Sequence, residues 1–164
     1  FEADIENDGQ VESVRYTLTD SSGTPVTANS TCPCNLRRSQ VVKVTGAPAL
    51  QAVNYNSSVE RVINSGDVAG AGAALALTGS STFGGNTVSN DSLYAAYKAV
   101  PVFTAFDPSG NTLALPLDLA SNPAGMAQVR AVTITLNLLA GAPDPQSGMT
   151  AALSMTASAR LNNY

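Results

Sequence analysis

From Val129 to Leu138 the chain alternates: Val132, Ile134, Leu136 and Leu138 are apolar, and Thr133, Thr135 and Asn137 between them are polar. A period of two puts every second side chain on one face, which fits a half-buried strand and not a helix of about 3.6 residues per turn. After Ala140-Gly-Ala-Pro-Asp-Pro-Gln-Ser-Gly148 the pattern resumes. Ala151, Leu153, Met155, Ala157, Ala159 and Leu161 alternate with Ala152, Ser154, Thr156, Ser158 and Arg160. Two alternating runs broken by Pro and Gly predict a long antiparallel pair, and a chain built around such a pair needs further antiparallel strands to cover its apolar face.

Those strands are visible elsewhere. Val14, Tyr16 and Leu18 alternate with Arg15, Thr17 and Thr19, and Asp20-Ser-Ser-Gly23 supplies a turn. Val41-Val-Lys-Val44 precedes Gly46 and Pro48, and a short strand is expected around Val53 and Tyr55. Val100–Phe106 is an aromatic strand leading through Asp107-Pro-Ser-Gly-Asn111 into Thr112-Leu-Ala-Leu115. Pro presets φ and Gly accepts positive φ, so Asp-Pro-x-Gly between apolar runs is a turn with a mechanism. Gly79–Asn90 has the composition of a loop, and Ser92–Ala99 is read as strand or irregular structure in preference to a short helix. No repeat or linker divides the sequence. The expectation is one mostly-β domain over residues 1–164, of antiparallel strands with long polar loops.

Composition narrows the function classes. Only 8 basic and 12 acidic side chains stand among 164 residues, 12% in all, against about 25% in an ordinary soluble domain. A net charge of −4 gives no basic footprint for nucleic acid. The chain has no His, which removes Ser-His-Asp and Cys-His hydrolysis and His-ligated zinc or haem. A hydrophobic content of 44% is enough for a core and argues against disorder. No apolar run approaches the roughly 18–20 residues of a spanning helix.

Few residues carry chemistry. Cys32 and Cys34 flank Pro33; an even count is compatible with a local disulfide, yet two Cα atoms only two steps apart sit near the limit of disulfide reach, so two ordinary thiols remain the alternative. Asp4, Glu6 and Asp8 alternate ahead of Gly9, matching the first half of a calcium loop, in which hard oxygen ligands surround the ion and Gly allows the bend. The bidentate Glu expected at position twelve of such a loop is Arg15 here. The competing reading is a solvated acidic turn entering the first strand. Arg37, Arg38 and Lys43 form a small basic group with the look of solvated strand positions. Tyr94 and Tyr97 are either a stacking surface or sheet packing. Asp67, Asp91, Asp107, Asp118 and Asp144 all fall in turn-like settings, and nothing marks two of them as a facing acid–base pair.

Four segments in order give a resemblance. Asn7-Asp-Gly-Gln-Val-Glu-Ser-Val-Arg-Tyr-Thr-Leu18 looks like an acidic turn entering an I-x-Y-x-L strand, and Asn35-Leu-Arg-Arg-Ser39 like an L-x-R strand. Phe103-Thr-Ala-Phe-Asp-Pro-Ser-Gly-Asn-Thr-Leu113 looks like an aromatic strand turning through Asp and Gly. Val129–Leu138 with Met155-Thr-Ala-Ser-Ala-Arg-Leu-Asn-Asn163 looks like a V-x-I-x-L strand and a T-x-V-x-L-R-N ending. In that order they resemble the soluble domain of the PilW/GspJ-like minor pilins and pseudopilins, subunits of type IV pili and of the type II secretion machine. The terminal motif departs from the pattern, with Ala159-Arg-Leu-Asn in place of L-R-N.

The resemblance implies an α+β pilin-like fold whose long apolar N-terminal helix is absent from this chain, either removed or supplied by a separate small subunit. It implies a structural role in an extracellular filament, reached by way of the inner membrane and periplasm, with other pilin subunits as partners and membrane contact only through that helix. Cofactors are expected to be none, apart from calcium at the acidic start. The alternative is a surface adhesin that binds through the loops at Ala69–Asn90 or Ala140–Gly148. An enzyme is the third and weakest expectation.

Overall fold

A computed structural model describes residues 2–4, 6–44, 55–68, 71–115, 117 and 124–160. In chain order the elements are β1 (Glu2–Ala3), β2 (Glu12–Thr19), β3 (Thr31–Cys32), β4 (Cys34–Val42), β5 (Tyr55–Val62), β6 (Ala76–Leu77), β7 (Ser80–Phe83) and β8 (Asn86–Ser89). There follow α1 (Asn90–Leu93), α2 (Ala95–Lys98), β9 (Phe103–Phe106), β10 (Thr112–Leu113), α3 (Gly125–Gln128), β11 (Ala131–Leu139) and β12 (Ala152–Arg160). Among the described residues the architecture is mostly antiparallel β, with three helices of a single turn. One sheet of eight strands runs β1-β2-β4-β5-β11-β9-β10, with β12 added to β11. Small pairs β3–β6, parallel, and β7–β8, antiparallel, lie outside it.

The alternating C-terminal runs form the expected pair, matched residue for residue from Ala131↔Arg160 to Leu139↔Ala152. On one face Val132, Ile134, Leu136 and Leu138 stand opposite Ala159, Ala157, Met155 and Leu153; on the other, Thr133 Oγ1 meets Ser158 Oγ at 2.7 Å and Thr135 Oγ1 meets Thr156 Oγ1 at 3.4 Å. Cross-strand hydroxyl pairs of this kind add a few tenths to about 1 kcal/mol each.

The other edge of β11 is shared. β9 pairs with Ala131–Ile134, and β5 reaches it only at Leu138↔Val62. Asn64, fully buried, fills the fork between them: its Oδ1 accepts the Asn137 N–H and its Nδ2 donates to the Thr135 carbonyl, both at 2.8 Å. The amide thus takes the place of a residue's backbone in the ladder. Asn137 is itself buried and donates through Nδ2 to the Tyr97 carbonyl at 2.8 Å. Asp67 anchors the start of β9, accepting the Val102 and Phe103 N–H groups at 2.8 and 2.9 Å. Around this fork Val62, Ile63, Leu75, Leu77, Tyr94, Val102 and Leu139 form the core with the two cysteines.

Two expectations are corrected. Residues 79–90 are not a loop: β7 and β8 make a hairpin through Gly84-Gly85, both with positive φ (56° and 77°), the conformation of a two-residue type I′ turn. The segment Ser92–Ala99, expected as strand or irregular, lies in α1 and α2. Ser89 caps α1 by accepting the Asp91 N–H, and Tyr94, buried, separates the two helical turns at φ −108°. The strand expected at Val53 and Tyr55 is β5 from Tyr55 onward; Val53 lies outside the described residues.

Candidate functional site

The acidic start folds into a carboxylate-closed turn, and the grouping differs from the expectation. Asp4, Asp8 and Glu12 bring carboxylate oxygens within 4.8 Å of one another. Glu6 does not belong to the group; its Oε1 accepts Gln40 Nε2 from β4 at 3.0 Å. The reason is topological. Gly9, at φ +86°, reverses the chain so that the first residue of β2 comes back to face Asp4. Asp4 accepts the Asp8 and Gly9 N–H groups at 3.1 and 3.0 Å, and Asp8 accepts Gln10 N and Nε2 at 2.9 and 3.0 Å. A cation here would share oxygens that already hold the turn together.

Cys32 and Cys34 are joined in a disulfide, Cα atoms 4.5 Å apart, across a cis Cys32–Pro33 peptide. That separation is inside the disulfide range of about 4.4–6.8 Å. Both cysteines are buried, and Cys32 and Pro33 border an open polar cleft of about 690 Å³ walled by Asp20, Asn29, Asn35, Glu60, Arg61 and Thr78 among others. The strand pairing explains why Glu60 and Arg61 reach it. Between Cys34↔Val62 and Leu36↔Val59 the register shifts, so β5 carries an extra residue, and Arg61 takes φ +60°. A non-glycine residue in this region costs on the order of 1–3 kcal/mol and is held only where the surroundings demand it; here the Arg61 Nε–H donates to the Leu139 carbonyl at 3.0 Å. Sequence reasoning missed this cleft. Its one signal was Glu60-Arg61, the sole adjacent acid–base pair in the chain. The cleft offers amides, hydroxyls, two carboxylates (Asp20 and Glu60) and one guanidinium (Arg61), a set suited to holding a polar ligand.

The remaining candidates disperse. Arg37 and Arg38 are neighbours on β4 and so face opposite sides of the sheet: Arg37 lies over the Tyr55 ring at 5.3 Å, and Arg38 donates to Gln40 Oε1 at 2.6 Å. Tyr94 is buried, its hydroxyl donating to the Thr150 carbonyl, and meets the half-exposed Tyr97 edge-on at 6.4 Å. The acidic residues serve the backbone. Asp91 pairs with Lys98 at 2.5 Å, and this hydrogen bond, then one from the Leu77 N–H, holds its carboxyl below the ordinary range. Asp20, Asp107 and Asp144 are likewise lowered, first by the Ser22 hydroxyl, the Asn111 side chain and the Ser147 N–H respectively. Each of these carboxylates is held by partners of its own, and Asp118 lies outside the described residues.

One exposed strip of the surface is apolar. Leu153 and Met155 of β12 are 58% and 54% exposed, and with Ala157 and Ala159 they continue the half-buried strip of Val132, Ile134, Leu136 and Leu138. Among the described residues no helix is long and apolar enough to cross a membrane. The described residues form a mostly antiparallel β fold with a few short helices. Comparison with family models, with curated proteins and with solved structures found no match to the chain.

Proposed function

We propose that this chain is the globular part of a structural subunit of an extracellular filament, a type IV pilus or related secretion pseudopilus, of the PilW/GspJ-like kind. The observation that supports it best is where the four resembling segments fall: β2, β4, β9–β10 and β11–β12, all within the one eight-stranded sheet. Four short sequence likenesses scattered over unrelated parts of a fold would carry little; four whose strands share one sheet, with β2 beside β4 and β11 beside β9, carry more. In this reading the domain is displayed at the cell surface and packs beside other pilin subunits. Low charge suits such packing, since few ions need desolvation. The test is biochemical: antibody to this domain should detect it in filaments sheared from the producing cells and cross-linked to other pilins. Its recovery solely from the cytosol, in cells that make filaments, would overturn the proposal.

A second reading, an adhesin displayed on the filament, has one observation in its favour. Gly148, in the β11–β12 connection, lies so close to β7 that a Cβ there would come within 2.2 Å of the Thr82 carbonyl oxygen. The two loops expected to bind therefore share a seam. Loss of cell-surface binding on shortening residues 141–147, with filaments still assembled, would favour it.

A further inference from the structure

We propose that β12 is a pairing edge through which two copies of this chain associate, antiparallel and about a two-fold axis at Thr156. The big sheet has other open edges, and each is short or interrupted: β1 and β10 have two residues each, β2 is covered at its ends by β1 and Pro25, and β5 is bulged against β4 and carries Glu60 and Arg61. β12 has nine, in unbroken register with β11, and residues Leu153–Arg160 are all exposed. Proteins protect an edge of that length with Lys, Pro, a bulge or an inward-pointing charge. Ala-Leu-Ser-Met-Thr-Ala-Ser-Ala-Arg160 has none of these, and its single charge stands at one end.

The backbone parity identifies the groups on offer. The Ala140 N–H bonds the Ala151 carbonyl at 2.9 Å. In an antiparallel pair this parity alternates, so Leu153, Met155, Ala157 and Ala159 direct their N–H and C=O groups to β11, while Ala152, Ser154, Thr156, Ser158 and Arg160 direct theirs outward. Among the described residues none pairs with that outward row.

A second copy is the occupant that the side chains fit. Centred on Thr156, the two-fold pairing sets Leu153 opposite Ala159 of the second copy and Met155 opposite its Ala157. Large meets small, in the non-hydrogen-bonded pairs where side chains come closest. On the opposite face Ser154 meets Ser158 and Thr156 meets Thr156, extending the hydroxyl ladder already formed with Thr133 and Thr135. The Arg160 side chains lie at opposite ends, each against Ala152, whereas parallel pairing would set them side by side. The apolar strips of the two hairpins merge into one across four strands.

Sedimentation of the chain with rising concentration should show mass moving from 16.7 kDa towards twice that value. Amide exchange should show Ser154, Thr156 and Ser158 gaining protection with concentration, while Leu153, Met155 and Ala157 are protected throughout. Thr156→Lys places like charges directly opposite each other and should leave a folded monomer; an equimolar mixture of Thr156→Lys and Thr156→Glu should restore the dimer. A chain that stays monomeric at millimolar concentration overturns the proposal. So does a dimer that survives Thr156→Lys, or one in which the outward amides gain no protection, since its interface lies elsewhere.

Discussion

The two sides of β11 are built in opposite ways. Its outer side meets one uninterrupted strand, β12, nearly all of it exposed. Its inner side meets fragments: four residues of β9, the Asn64 side chain and one residue of β5. The inner side is buried, so every gap there must be closed by a fixed polar partner; the outer side is wet, and simple strand pairing suffices. Burial, and not strand length, decides which side tolerates change.

The largest expected effect therefore falls on the inner side. Asn64→Ala leaves the Asn137 N–H and the Thr135 carbonyl buried without partners, and should cost about 2–4 kcal/mol in urea unfolding. Asn64→Asp sharpens the point, because it keeps an acceptor but sets an oxygen against the Thr135 carbonyl; it should be at least as damaging.

Next comes the disulfide that borders the same core. In the loop-entropy account a bridge closing about three residues contributes about 1.6 kcal/mol, so reduction should lower the unfolding midpoint by a corresponding amount without unfolding the chain. A drop several times larger would mean that the bridge, and not the Asn64 fork, holds the inner side together.

Acid probes the turns on both sides. Asp144 closes the β11–β12 connection and Asp107 the β9–β10 turn, and both carboxyls are held below their ordinary values. A depressed folded pKa means that the unfolded chain binds protons first, so this stabilisation is complete above the ordinary value of about 3.9 and is lost as pH falls through the folded values. Melting temperature should decline steadily below about pH 4, and Asp144→Asn and Asp107→Asn should each make that decline shallower.

The smallest effect belongs to the outer side: Met155→Ser, at an exposed position, should change stability by no more than about 0.5 kcal/mol. A loss comparable to that of Asn64→Ala would break the contrast between the two sides.

Much of this was legible in the sequence, within a definable limit. Period two identifies the faces of a strand, so Val132–Leu138, Val14–Leu18 and their partners were readable as strands. It says nothing about edges. Asn137 alternates with Thr133 and Thr135 as though it faced water, yet it is 2% exposed, because distant residues 64 and 97 close over it. Gly84-Gly85 carried a hairpin signal that was masked by flanking Ser and Thr, which suit a loop equally well. The acidic start was visible as a cluster, but its membership was not: Glu12 stands where Glu6 was expected, because Gly9 reverses the chain. The cleft at Glu60 and Arg61 depends on a register shift, which no periodicity records.

The seam at Gly148 and Thr82 matters for anyone wishing to use the domain as a scaffold. Residues 80–89 and 140–150 are far apart along the chain, but the glycine lets their backbones touch, and its φ of +71° adds a second reason against any side chain there. Sequence inserted at the Gly84-Gly85 tip and between Pro145 and Gln146 would be carried by two segments clamped to each other. The pair would behave as one display platform with two independently variable tips, provided that the clamp itself is left untouched.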